Sequence, residues 1–242
     1  MDLRRTTAIG LSFTLWGLSA AAHGGELHGT VVLEGPIPTP EALTLDHPKE
    51  QHALKECGGQ IRHSQQLMVD PSGGVSSAVV WLDAPSLVPE SREDTTTVLD
   101  QQHCTFAPHV VVVPLGGTLA IRNSDPILHN VRIFREGTML MHEWQQPRAA
   151  DLTWTFTEPG RFLVRCGVHP WMYAWVVVTD HSHFGMTDAA GHAIISQVPE
   201  GAYTMHVWHE ALGGAQQRVT IGARPTAVTM RMARHPNDGR SP

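Results

Sequence analysis

Charge is scarce in this chain. Asp, Glu, Lys and Arg make up 17% of its 242 residues, aromatics only 6%, and the cysteines number three. The few charges leave no basic surplus, with Lys+Arg at 17 against Asp+Glu at 23, so the electrostatic footprint of a nucleic-acid binder is missing. Beyond the N-terminus no apolar run approaches the roughly 20 residues that span a bilayer. Heptads and long-period repeats are lacking, which argues against a coiled coil or a solenoid. There is no His-Glu-x-x-His run, no Gly-x-Ser-x-Gly elbow and no phosphate loop, so nothing signals peptidase, esterase or nucleotide chemistry. The chain is not expected to be an enzyme.

What is present fits an exported β protein. Hydrophobic residues reach 41%, enough for one or two cored domains, and 22 Gly with 17 Pro suit many short strands joined by turns. Residues 1–22 read as a signal peptide. Arg4 and Arg5 give the positive start, Ala8 to Ala22 is uncharged, and Ala20-Ala21-Ala22 offers a cleavage site before His23. An uncleaved anchor is the alternative. With the signal removed no membrane span is expected, and the location is periplasmic or secreted.

An exported protein tends to oxidise its thiols in pairs. Pairing Cys57 with Cys104 leaves Cys166 free. Connectivity is not readable from sequence alone, so this disulfide is an expectation. A free thiol in that compartment needs protection, and metal ligation supplies it.

Strands dominate the pattern. His28 to Glu34 is β-rich. Pro48 to Glu56 suits a short helix, with Asp46 or His47 before it and Gly58 beyond its end. Leu67 to Asp70 and Val75 to Leu82 flank a Gly73-Gly74 turn. Val110 to Val113 is a β-branched run. Alternation follows through Leu119 and Ile121, Val131 and Ile133, then Leu152, Trp154 and Phe156. Phe162 to Cys166 and Trp175 to Val178 close the set. After His181 come Ala193 to Val198, Tyr203 to Trp208 and Ala227 to Met232. The spacing predicts an all-β, antiparallel sandwich or barrel, with a disordered tail over 234–242.

The sharpest chemical signal is Cys166-Gly167-Val168-His169-Pro170-Trp171-Met172, between two strands. A second histidine, His129, lies upstream in Asn123-Ser124-Asp125-Pro126-Ile127-Leu128-His129-Asn130. Two imidazoles and a thiolate with a weak axial thioether make the ligand set of an electron-transfer copper site. Zinc is the competing metal at Cys166, but a thioether serves it poorly. Pro170 stiffens the loop and removes one N–H. Asn130 is placed to stitch the His129 segment to the Cys166 loop. His169 is expected to present a partly exposed edge for electrons, inside an apolar rim of Pro126, Ile127, Pro170 and Trp171. Met139, Met141 and His142 form a softer cluster suited to Cu(I). His181 and His183, and His103 and His109 around Cys104, read first as ordinary loop or strand residues.

The stretch from about Phe106 to Asp180 resembles the cupredoxins, with a Cys-x-x-His-Pro-aromatic-Met loop like those of the amicyanin and plastocyanin group. The resemblance implies a Greek-key β-sandwich over 98–180 that shuttles single electrons. It implies one type 1 copper ion held by His129, Cys166, His169 and Met172.

Thr187-Asp188-Ala189-Ala190-Gly191, followed by Val198-Pro199-Glu200-Gly201-Ala202-Tyr203, resembles the carboxypeptidase regulatory-like domain, a small transthyretin-like sandwich. Gly29 to Val31 and Ala78 to Val80 fit its first strands. The resemblance implies a second sandwich split between 23–97 and 181–233, with the cupredoxin inserted in it. Two tandem β domains are the alternative.

The leading functional expectation is a one-electron carrier between redox protein partners. Periplasmic copper storage or delivery is the alternative. A copper enzyme would need an open coordination position that the loop does not offer, and a non-catalytic adhesion sandwich would leave the copper incidental.

Overall fold

The computed structural model describes residues 24–39, 42, 48–56, 58, 63–84, 95–181 and 183–234. The expected signal peptide, Cys57 and all but Arg234 of the expected tail lie outside them. In chain order the elements are β1 (Gly25–Glu34), α1 (Pro48–Glu56), β2 (Val79–Asp83), β3 (Thr96–Gln102), β4 (Thr105–Ala107) and β5 (Val110–Pro114). Then come β6 (Thr118–Asn123), β7 (His129–Arg135), β8 (Thr138–Gln145), β9 (Leu152–Thr155), β10 (Gly160–Cys166) and β11 (Tyr173–Thr179). The last are β12 (Phe184–Met186), β13 (His192–Val198), β14 (Gly201–His209), β15 (Gly213–Ile221) and β16 (Thr226–Ala233).

Strands β3 to β11 pair only among themselves, in a five-stranded sheet ordered β5-β11-β10-β7-β8 and a four-stranded sheet ordered β4-β3-β6-β9. The inward side chains of both, Leu119, Ile121, Val131, Ile133, Phe156, Phe162, Val164 and Val176 among them, make one core. Each such side chain contributes about 1.5–3 kcal/mol by leaving water. The Phe156 and Phe162 rings meet 4.6 Å apart at its centre.

The N-terminal strands belong to a different pair of sheets. β1 lies between β13 and β16, and β2 lies between β12 and β14. Leu27, Val31 and Leu33 of β1 face Val80 and Leu82 of β2 and Tyr203, Met205 and Val207 of β14 in a second core. Gly74 lets the two halves close: a Cβ there would sit 2.1 Å from the Ala190 carbonyl oxygen.

The all-β prediction holds, but its purely antiparallel form does not. β5–β11, β3–β6 and β1–β16 run parallel. Each of these pairs joins strands that a short hairpin cannot connect.

The two sandwiches meet across a third apolar cluster. Val79 and Trp81 of β2 and Trp208 of β14 pack on Val110, Val112, Trp175 and Val177 of β5 and β11. Successive side chains of a strand point to opposite faces. The run Val110 to Val113 is therefore apolar throughout because one face fills the inner core and the other fills this interface. Glu210, its side chain 3% exposed, bonds the His109 imidazole across the junction and accepts the Trp175 indole N–H at 2.9 Å. Among the described residues no helix is long and apolar enough to cross a membrane.

Candidate metal centre

Three neighbouring strands deliver the site. His129 opens β7, Cys166 ends β10, and His169 and Met172 lie in the loop before β11. The pairing Cys166 with Val131 and Arg165 with Tyr173 brings all of these to one edge of the five-stranded sheet. The loop leading to His129 is set by Asn123, which is 1% exposed. Its amide donates to the carbonyls of Ile127, Gln145 and Gln146, and its oxygen accepts the Asp125 N–H.

The loop from Cys166 to Met172 closes on itself. The Cys166 N–H donates to the Met172 carbonyl at 3.0 Å, and the Met172 N–H donates to the His169 carbonyl at 3.0 Å. The Asn130 backbone reaches the loop: its carbonyl accepts the Gly167 N–H at 2.8 Å and its own N–H faces the Cys166 sulfur. Its side chain turns away to the Glu143 carbonyl and Arg132. A Cβ at 167 would lie 2.3 Å from Asn130 Oδ1, so any larger residue there must displace the Asn130 and Arg132 side chains.

The two imidazole Nδ1 atoms lie 3.1 Å apart, and each is 3.6 Å from Cys166 Sγ. The point equidistant from these three atoms lies about 2 Å from each, the range of a metal–imidazole bond. All four expected ligands are buried: His129 at 0%, His169 and Met172 at 1%, and Cys166 at 5% exposure. Among the described residues Cys166 is the free cysteine. Burial alone would raise its thiol, but the two imidazoles and the N–H groups of Asn130 and Val168 outweigh that and bring it down to about 5. Pro170, with no N–H to offer, limits the donors on that side of the loop.

One expectation needs correction. His169 does not present a partly exposed edge; it is 1% exposed. The Trp171 ring packs on it with centroids 5.3 Å apart, and Trp171 is itself tied by its indole N–H to the Cys104 carbonyl at 3.1 Å. The Cys104 sulfur comes within 4.8 Å of ring nitrogens of both His129 and His169. The apolar rim does lie near the surface: Pro126 and Pro170 are exposed, Ile127 and Trp171 half-buried, and Leu128 and Val168 add to it at 37% and 42%.

Sequence reasoning gave no role to Asp125, which stands four residues before His129. Its carboxylate accepts the His129 Nε2–H at 2.9 Å and is 4% exposed. The softer cluster on β8 is not assembled into a buried site: Met139 is 51% exposed and His142 is exposed as well. A cavity of about 560 Å³ opens instead between the sandwiches, lined by Trp81, Trp175, Trp208, Phe184, Arg135 and Arg161, with none of the four ligands in its wall.

No family model matches the chain, and no curated protein matches it. Solved structures similar to it are cupredoxins. A reduced amicyanin variant shares 25% identity over 40% of this chain and 98% of its own, with a TM-score of 0.32. A purple cupredoxin from Nitrosopumilus maritimus shares 21% over 36% and 100%, at 0.31. The copper-containing nitrite reductase of Thermus scotoductus shares 20% over 38% of this chain and 25% of its own, at 0.33. The geometry of the side chains, rather than these likenesses, carries the reading that follows.

Proposed function

We propose that this chain is an exported type 1 copper protein that carries single electrons between redox protein partners, without catalysing a reaction of its own. The observation that carries the reading is the buried triangle of His129 Nδ1, His169 Nδ1 and Cys166 Sγ, with room for one ion at bonding distance. The Cys166 thiolate, the two imidazoles and the buried Met172 thioether would hold the ion, a donor set that suits one alternating between Cu(I) and Cu(II). The bound ion would supply the one-electron couple. The protein's own residues hold the ligands, keep the cysteine deprotonated and exclude water. A site fixed by backbone bonds on both sides of Cys166 needs little rearrangement when an electron moves. The zinc alternative is disfavoured by the same donor set, since Met is a poor zinc ligand.

With His169 covered, we assign electron exchange to the rim of Pro126, Leu128, Val168, Pro170 and Trp171. That small apolar patch suits brief, weak docking. The copper domain over 98–180 is inserted in a split, transthyretin-like sandwich made of 23–97 and 181–233. The pairing of β1 and β2 with strands after His181 supports this division. Residues 1–22 are the export signal and 234–242 a tail. We keep the Cys57–Cys104 pairing as the disulfide; Cys57 lies outside the described residues, and the burial of Cys104 supports the choice.

The test is to load the mature protein with Cu(II). One copper per chain with an intense thiolate-to-copper band in the visible, absent in Cys166→Ser, supports the assignment. Copper bound without that band in the wild type sinks it.

A further inference from the structure

The turn between β3 and β4 is unusual. His103 and Cys104, neither of them glycine, both take left-handed backbone angles, with φ of 53° and 54°. Such a conformation is strained for a residue with a Cβ and persists only where its surroundings hold it. What holds it here is an anion. Consecutive N–H groups in a turn of this kind form a concave cradle for negative charge. Both the His103 and the Cys104 N–H groups donate to the Asp125 carboxylate, one to each oxygen, the latter at 2.8 Å.

The same carboxylate takes a third donor, His129 Nε2, at 2.9 Å. The carboxylate thus holds the His129 ring by Nε2 and aims its Nδ1 at Cys166 and His169. On its other side the turn reaches the metal-binding loop, because the Cys104 carbonyl accepts the Trp171 indole N–H at 3.1 Å. One short turn thus touches both halves of the site, the β7 histidine and the loop before β11.

We propose that the His103–Cys104 turn is a positioning device for the metal centre, fixing His129 through Asp125 and the metal-binding loop through Trp171. This rests on the copper assignment, but part of it is testable without metal. Asp125 and Trp171 are positioning residues; neither is a ligand. An amide at 125 has one acceptor oxygen for three donors, so Asp125→Asn releases either the turn or the histidine. Losing the anion also removes stabilisation of the more highly charged Cu(II).

The experiment has two arms. In the metal-free wild type, nitrogen-15 NMR should find a proton on His129 Nε2; a bare Nε2 overturns the proposal, with no variant needed and whether or not copper binds. In the copper-loaded protein, Asp125→Asn should weaken Cu(II) binding about 10- to 100-fold. It should also raise the reduction potential and change the copper hyperfine splitting. Trp171→Phe, which keeps the ring but removes the donor, should shift the same spectrum. Wild-type potential and spectrum in both variants would overturn the proposal. A wild type that takes up no copper would refute the functional reading and leave the tautomer arm standing.

Discussion

His129 and His169 face each other with their Nδ1 atoms 3.1 Å apart, buried and without an intervening residue. Two bare lone pairs at that separation would repel. An ion bonded to both removes that conflict, and the site is shaped before metal arrives. Anything that binds the folded state alone stabilises it by mass action. Copper at about 100 times its dissociation constant should add about 2.7 kcal/mol and raise the melting temperature measurably in calorimetry. An unchanged melting temperature at saturating copper would contradict a preformed site.

Gly167 lies against Asn130, where the two ligand-bearing segments meet through the Gly167 N–H and the Asn130 carbonyl. Gly167→Ala should cost about 1–3 kcal/mol, because its Cβ would press on Asn130 Oδ1 at 2.3 Å and Arg132 Nη2 at 2.5 Å. Urea unfolding gives the loss, and the visible spectrum of the loaded variant should shift as the Asn130 N–H moves off the sulfur. A variant with wild-type stability and spectrum would show that the approach is slack.

Glu210 ties the sandwiches together. Glu210→Ala should destabilise by about 3 kcal/mol, since it strips the partner from the buried Trp175 indole N–H and from His109. Tyr173 feels the same carboxylate, which together with burial pushes its hydroxyl pKa up. A loss below about 0.5 kcal/mol in urea unfolding would mean that the apolar junction alone holds the two units.

His209 gives the protein an acid-side slope. Burial holds its imidazole down to about 4, below the ordinary value of about 6.5. The folded state therefore binds fewer protons than the unfolded one between those values. The contribution is complete above pH about 6.5, is lost as pH falls towards about 4, and is worth roughly 3 kcal/mol at most. His209→Asn keeps an acceptor for the Ala211 N–H, which His209 Nδ1 takes at 3.2 Å, and should flatten that slope in stability measured against pH. A slope equal to the wild type's would assign the effect elsewhere.

The strands that alternate were legible because half-buried sheets impress a period of two on the sequence. Leu119 and Ile121, Val131 and Ile133, and Tyr203 to Trp208 all lie on observed strands, and the helix runs over Pro48–Glu56 as read. β8 was not legible. Met139, Leu140 and Trp144 are exposed along an edge strand that buries only Gln145, so no alternation is imposed. β15 does alternate in burial, but its inward positions before Val219 carry Gly213, Ala215 and Gln217, too small or too polar to show the period in sequence. Val75 to Leu82 was read as one strand, but regular pairing begins at Val79, after Ser77 takes a positive φ of 61°.

At the site, His129 Nδ1, His169 Nδ1 and Cys166 Sγ lie within 3.6 Å of one another, three residues that the sequence offers through their types and spacing. The exposure of His169 was misjudged because its cover comes from Trp171, anchored to a turn more than 60 residues upstream. Asp125 was passed over because a carboxylate four residues before a ligand is common on surfaces. Only the fold shows this one to be buried.

Copper-edge X-ray absorption of the loaded wild-type protein tests the central claim most directly. One short sulfur and two imidazole nitrogens around the ion are predicted, with the sulfur lost in Cys166→Ser. A first shell of nitrogen and oxygen alone would contradict the account.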